Sequence, residues 1–245
     1  MVKPRAAGRL RLTRRVAWLL AVLLIAAFVS LGRWQLHRAE AKQRMLADVA
    51  RALQVRRPVP LSEAARSSRI AGYDWAEGRG RFADGPVLLL DNQRHGEAVG
   101  VRVFAPFLPD AGGELLVDLG WLPVPPDRRM PSPAIPAGDQ ALRGLLAPLP
   151  STGMPLGPDH VEIDQHRWLL TRIEYPALLR GLGPSLAPRI LRLDPALPIG
   201  FARDLEVLPN TLPPERHRGY AVQWFGLALA TLLTALFLAF RRTHE

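Results

Sequence analysis

His217, Tyr220 and Trp224 open a stretch that carries no charge from Tyr220 to Phe240. Their spacing of three and then four residues places them near one face if the stretch is helical. A neutral imidazole is a strong ligand for haem iron, and tyrosine and tryptophan rings can wall an apolar macrocycle. The same three residue types also form the ordinary aromatic belt of a helix entering a bilayer. From the residues alone both readings stand. His37 follows the other long apolar run and is a second candidate ligand.

One other stretch has residues that could do chemistry. Asp159, His160, Glu162, Asp164 and His166 fall close together. On a single strand over 160–170, His160, Glu162, Asp164 and His166 would share one face, because side chains alternate. Carboxylates with imidazoles can hold a divalent metal, which would suit a periplasmic metal-dependent hydrolase. The plainer reading is a solvated strand face with Val161 and Ile163 turned inward. Side chains spread along a strand rarely converge on one ion, which favours that reading.

Other catalytic patterns are missing. There is no Gly-x-Ser-x-Gly, no phosphate-binding loop, no His-Glu-x-x-His and no dinucleotide fingerprint. Without cysteine, disulfides, thiolate metal sites and thiol nucleophiles are excluded. A role other than an enzyme's is expected.

The elements that must position His217 are set by the two apolar runs. Val16 to Leu31 is uncharged, bounded by Arg14, Arg15 and Arg33. It is a little short of the ~20 residues that span a bilayer, a gap that snorkelling arginines can close. A cleaved signal peptide is the rival reading. Against it, the helical pattern runs on through Trp34, Met45, Leu46, Val49 and Leu53, and no breaker comes before Pro58. The expected organisation is a basic tail (1–15), a first membrane helix (16–32), a helical stalk (33–57), a β-rich domain (58–219), a second membrane helix (220–240) and a short tail (241–245).

The net charge of +10 is mostly an end effect. Lys3, Arg5, Arg9, Arg11, Arg14 and Arg15 precede the first run, and Arg241 and Arg242 follow the second. That distribution marks both ends as cytoplasmic and the 33–219 segment as periplasmic. It argues against nucleic acid as a partner and for a bilayer, the cell inner membrane.

Between the runs the sequence reads as strands at 75–82, 86–91, 99–107, 114–121, 141–147, 160–170, 188–194 and 203–208, punctuated by Gly, Pro and Asp. One helix is expected near 174–182, where Tyr175, Leu178, Leu179 and Leu182 share a face. A second, short one starts near Ser62. The proline-rich 122–140 stretch is a loop. The fold class expected is two transmembrane helices flanking a mainly antiparallel β barrel or sandwich with one or two short helices.

Four groups of residues carry a family resemblance. The first is Gly32, Trp34, Gln35, Arg38 and Lys42. The second is Asp91 to Arg94, leading through Gly100 to Phe104 and Pro106. The third is Leu116 to Gly120, Trp121 and Pro123. The fourth is His217, Tyr220, Gln223, Trp224 and Phe225. In type, order and placement the chain resembles the Surfeit locus protein 1 family of cytochrome c oxidase assembly factors, in its bacterial form. It departs at Leu119, where the family has arginine, and His37 is outside the pattern. The resemblance implies a non-enzymatic role: bringing haem a to subunit I of a haem-copper oxidase, with haem a synthase as a further partner. It implies His217 as the haem ligand. A haem-independent scaffold for a subunit I intermediate is the alternative.

Overall fold

The computed structural model describes residues 5–150, 158, 160–207 and 212–241, with side chains from residue 15 onward. Asp159 and Leu208, part of two expectations above, lie outside the described residues. The chain divides into two compact units: residues up to Met45 with those from Thr211 onward, and Leu46–Asn210.

The first unit is a helix pair. Helix α1 runs unbroken from Arg5 to Val55, and helix α3 from Pro214 to Arg241. Both are long and apolar enough to cross a membrane. In their most apolar windows only 6% and 11% is buried, which is not how the core helix of a soluble protein behaves. Leu19, Leu23, Leu233 and Phe237 stay exposed on the outer faces, as lipid-facing positions do.

The pairing is antiparallel. Phe28 stacks on Trp224, Gln35 meets His217, and Gln43 meets Arg218. Within this unit the covered positions of α1 include Phe28, Gly32, Gln35, Ala39 and Lys42. Those of α3 include Pro214, His217, Ala221, Trp224 and Ala228. Both series alternate steps of three and four, the spacing of a left-handed coiled-coil seam. Small residues at Gly32, Ala39, Ala221 and Ala228 let the backbones approach, which replaces the hydrophobic drive that lipid removes.

The second unit is a nine-stranded, mostly antiparallel sheet. Its strands are β1 (Val59–Pro60), β2 (Asp74–Phe82), β3 (Val87–His95), β4 (Ala98–Pro109), β5 (Leu115–Pro123), β6 (Asp139–Pro148), β7 (Val161–Asp164), β8 (Arg167–Leu170) and β9 (Arg189–Leu193). They lie in the order β1-β2-β6-β9-β5-β4-β3-β8-β7, with parallel pairing at β1–β2, β3–β8 and β5–β9. The end of β2 (Gly80–Phe82) also pairs with the end of β4. The sheet therefore curls on itself, but β1 and β7 remain free edges and it is not a closed barrel.

Both faces of the central strands are covered, so β3 reads as a continuous apolar run rather than an alternation. Val87 and Leu89 join one core with Val101, Val103, Phe107, Leu115, Val117 and Leu191. Leu88 and Leu90 join the other with Phe104, Leu116 and Ile190. Helix α2 (Tyr175–Leu182) closes this second core with Leu178. Its first turn carries Pro176, and the Tyr175 hydroxyl donates to the Leu186 carbonyl at 2.6 Å.

Two expectations need correction. The 160–170 stretch is not one strand but a hairpin, β7 and β8, turning at Gln165 and His166. Asp164 makes the turn: one oxygen accepts the His166 N–H at 2.9 Å, and the other accepts Arg167 Nε at 2.8 Å. His160 stacks on Trp168 at 4.2 Å, so the row of four ligand types along one strand does not form. The strand expected at 203–208 also does not form among its described residues. Ala202 makes one bridge to Trp121, and the next carbonyls are taken by a side chain: Arg192 donates to Glu206 O at 2.7 Å and Asp204 O at 3.3 Å.

Candidate functional site

His217 lies in the first turns of α3, just after Pro213 and Pro214. Proline at a helix start loses no hydrogen bond and holds the backbone in helical conformation. That start fixes the imidazole on the seam, where it is 6% exposed. Its Nδ1 lies 2.7 Å from Gln35 Oε1 on α1. An amide oxygen can only accept, so Nδ1 carries the proton and donates. The lone pair is therefore on Nε2. That atom is buried and has no hydrogen-bond partner among the described residues.

A buried, unpaired imidazole nitrogen costs about 1–3 kcal/mol relative to a satisfied one. Such a group calls for an explanation in function. Metal-ligating histidines have this arrangement: one nitrogen free for the metal, the other donating to a carbonyl or carboxylate that fixes tautomer and ring orientation. A neutral imidazole presented in this way is the kind of donor that can hold a haem iron.

The other expected residues are distributed around this point. About two turns further along α3, Trp224 stacks on Phe28 with ring centroids 5.8 Å apart. Phe225 packs over Gly32, where an added Cβ would fall 2.6 Å from its ring. Toward the start of α3, Lys42 donates to the Leu212 carbonyl, and Arg218 donates to Gln43 Oε1 at 2.6 Å. Tyr220 and Gln223 face outward, as do Trp34 and Arg38 on α1. His37 is turned away from the seam, its side chain 70% exposed and 4.0 Å from Glu40. The structure thus brings together His217, Gln35 and Lys42, with Trp224 and Phe225 below them, and leaves His37 apart.

The middle motif residues meet within the sheet unit. Asp118 is buried and accepts Arg102 Nη1 at 2.9 Å and the Gly120 N–H at 3.0 Å. Arg192 Nε lies 3.4 Å from the same carboxylate, an ion pair rather than a hydrogen bond. Burial pushes the Arg192 guanidinium below its ordinary pKa, and Asp118 opposes that shift. Trp121 donates to the Gln93 carbonyl at 2.9 Å and lies against His95. It can do so because Gly100 has no Cβ: one there would stand 2.6 Å from the indole. Gly120 has φ +113 where the β4–β5 register shifts. Pro106 is buried in β4, while Arg94 is exposed and 3.8 Å from Glu97. Leu119, in place of the expected arginine, is fully buried in the first core.

These motifs hold a sheet end together and bring no reactive set with them. Asp118 lies in the third motif group, but its partners Arg102 and Arg192 were signalled in the sequence by no more than charge inside otherwise apolar strands. Among the described residues no group of three or more His, Asp or Glu side chains is placed to hold a metal ion.

Two apolar helices joined across a buried imidazole, with a nine-stranded sheet unit between them in the chain, define a membrane-associated β-domain protein. The chain belongs to the SURF1 family, whose profile matches residues 22–229. It is 28% identical over 235 residues to Surfeit locus protein 1 of Xenopus tropicalis, covering 87% of this chain and 72% of that protein. The family is one of assembly factors, known for cytochrome oxidase assembly.

Proposed function

We propose that this protein serves the assembly of haem-copper cytochrome c oxidase by holding haem a and passing it to subunit I. The supporting observation is His217, with Nδ1 bound to Gln35 and Nε2 buried without a partner. Haem a, when bound, would supply a redox-active iron. His217 Nε2 would hold it, and Trp224 and Phe225 offer aromatic surface on the same helix.

The basic residues outside both apolar runs favour a cell inner membrane location with cytoplasmic ends and a periplasmic sheet unit. A lipid-soluble haem released by haem a synthase would then meet His217 at the outer membrane boundary. The alternative is a scaffold that holds a subunit I intermediate without touching haem.

Capture of subunit I from cells that lack haem a synthase separates the two. Haem delivery predicts that capture falls when haem a is missing and returns when synthesis is restored. Equal capture with and without haem a, from preparations that never contain haem, would support the scaffold instead.

A further inference from the structure

We infer that Gln35 is the positioning residue for His217: its side-chain oxygen selects the imidazole tautomer that leaves Nε2 free for iron. This rests on the haem-holding reading above and gives it a second required residue. Three observations carry it. The Nδ1 to Oε1 separation of 2.7 Å is a short, direct hydrogen bond between side chains 182 residues apart in the chain. The opposite ring nitrogen is buried and unpaired. The imidazole itself is 6% exposed, so water does not readily replace the amide oxygen.

A histidine without such a partner exchanges its proton between the two nitrogens, and the more common neutral form carries it on Nε2. That form cannot ligate through Nε2 without first losing the proton. An oxygen acceptor on Nδ1 removes this step. It also fixes the ring about its Cβ–Cγ bond and makes Nε2 more basic. Gln35 is well placed for this, since it lies on the covered face of α1 between Gly32 and Ala39, opposite His217. Lys42, about two turns on, donates to the Leu212 carbonyl and does not compete for the imidazole.

The test uses the full-length chain in detergent, titrated with haem a, in four forms: wild type, His217→Ala, Gln35→Leu and Gln35→Glu. Leucine keeps the volume and helix preference of glutamine but accepts no hydrogen bond. Loss of an outer hydrogen-bond partner typically weakens a metal site about 10–100-fold. Gln35→Leu is expected to weaken haem a binding by about that factor and to lower the iron–histidine stretching frequency of the ferrous form. Gln35→Glu is expected to retain binding and raise that frequency, because a carboxylate accepts more strongly. A residue that only packs the helices would leave the frequency unchanged in both variants, and that result overturns the role of Gln35. If His217→Ala binds haem a as wild type does, the ligand reading fails, and the role of Gln35 with it. Loss of binding in His217→Ala with no change in either Gln35 variant leaves the ligand and removes the positioning residue alone.

Discussion

Gly32 of α1 lies directly under the ring of Phe225 of α3, so close that a Cβ on residue 32 would stand 2.6 Å from it. The two helices touch here because one of them has no side chain. On α1, Gly32 lies between Phe28 and Gln35, which meet Trp224 and His217 of the same partner helix.

Gly32→Val should therefore destabilise the helix pair by about 1–3 kcal/mol, the usual effect of overpacking. Phe225→Ala should relieve part of that loss. Thermal unfolding of the two single variants and the double variant in detergent measures the coupling. Strictly additive effects would contradict the contact.

Gly100 is a harder position. A Cβ there would meet the Leu122 carbonyl at 2.1 Å as well as the Trp121 indole. A backbone atom cannot swing aside as a ring can. Gly100→Ala should lower the stability of the sheet unit by about 2–4 kcal/mol and break the Trp121 bond to the Gln93 carbonyl. Denaturant unfolding checks the first effect, and near-ultraviolet circular dichroism the second.

Asp118 is the shared countercharge of the buried Arg192 and the part-buried Arg102. Asp118→Asn keeps the shape but leaves Arg102 and Arg192 short of a countercharge. Breaking a buried pair on one side costs about 3–5 kcal/mol. Asp118→Asn combined with Arg102→Leu should recover stability relative to Asp118→Asn alone. A double variant no more stable than the single one would show that the pair is not coupled.

Acid should loosen the sheet unit through Asp74. Burial disfavours its carboxylate, but hydrogen bonds and charges from Arg189 and Arg69 outweigh burial and hold its pKa below the usual value. A depressed folded pKa gives stability that is fully present above the unfolded value, about pH 4. That stability is lost as pH falls through the lower folded value. Asp194 shifts in the same direction, with burial again outweighed, here by the Ala196 N–H and Arg143. Melting temperature should fall as pH drops below about 4. Asp74→Asn should lower it at neutral pH and make the acid decline shallower; a decline as steep as the wild type's would rule out Asp74 as a source.

How much of this was legible in the sequence differs by element. The antiparallel strands were readable because Val101, Val103 and Ala105 alternate and because Gly, Pro and Asp mark the turns. The hairpin at 160–170 was hidden because its turn, Gln165 and His166, contains neither glycine nor proline and is made by the Asp164 side chain. The parallel partners β5 and β9 could not be read, since their registry joins Leu116–Asp118 to Ile190–Arg192 across α2 and three further strands. His217 was legible from its place at the mouth of an apolar run. The part played by Gln35 was not, because it is a contact between the two far ends of the chain. The alternating seam from Phe28 to Lys42 was present in the spacing, but the apolar surroundings of its first half masked it.

The central claim is that His217 holds haem a, and the absorption spectrum of protein purified from cells making haem a tests it most directly. Wild-type protein is expected to carry haem a with the Soret and α bands of a histidine-ligated form. His217→Ala, made and purified in the same way, is expected to lack them. A His217→Ala preparation with the wild-type spectrum and haem content would contradict the account.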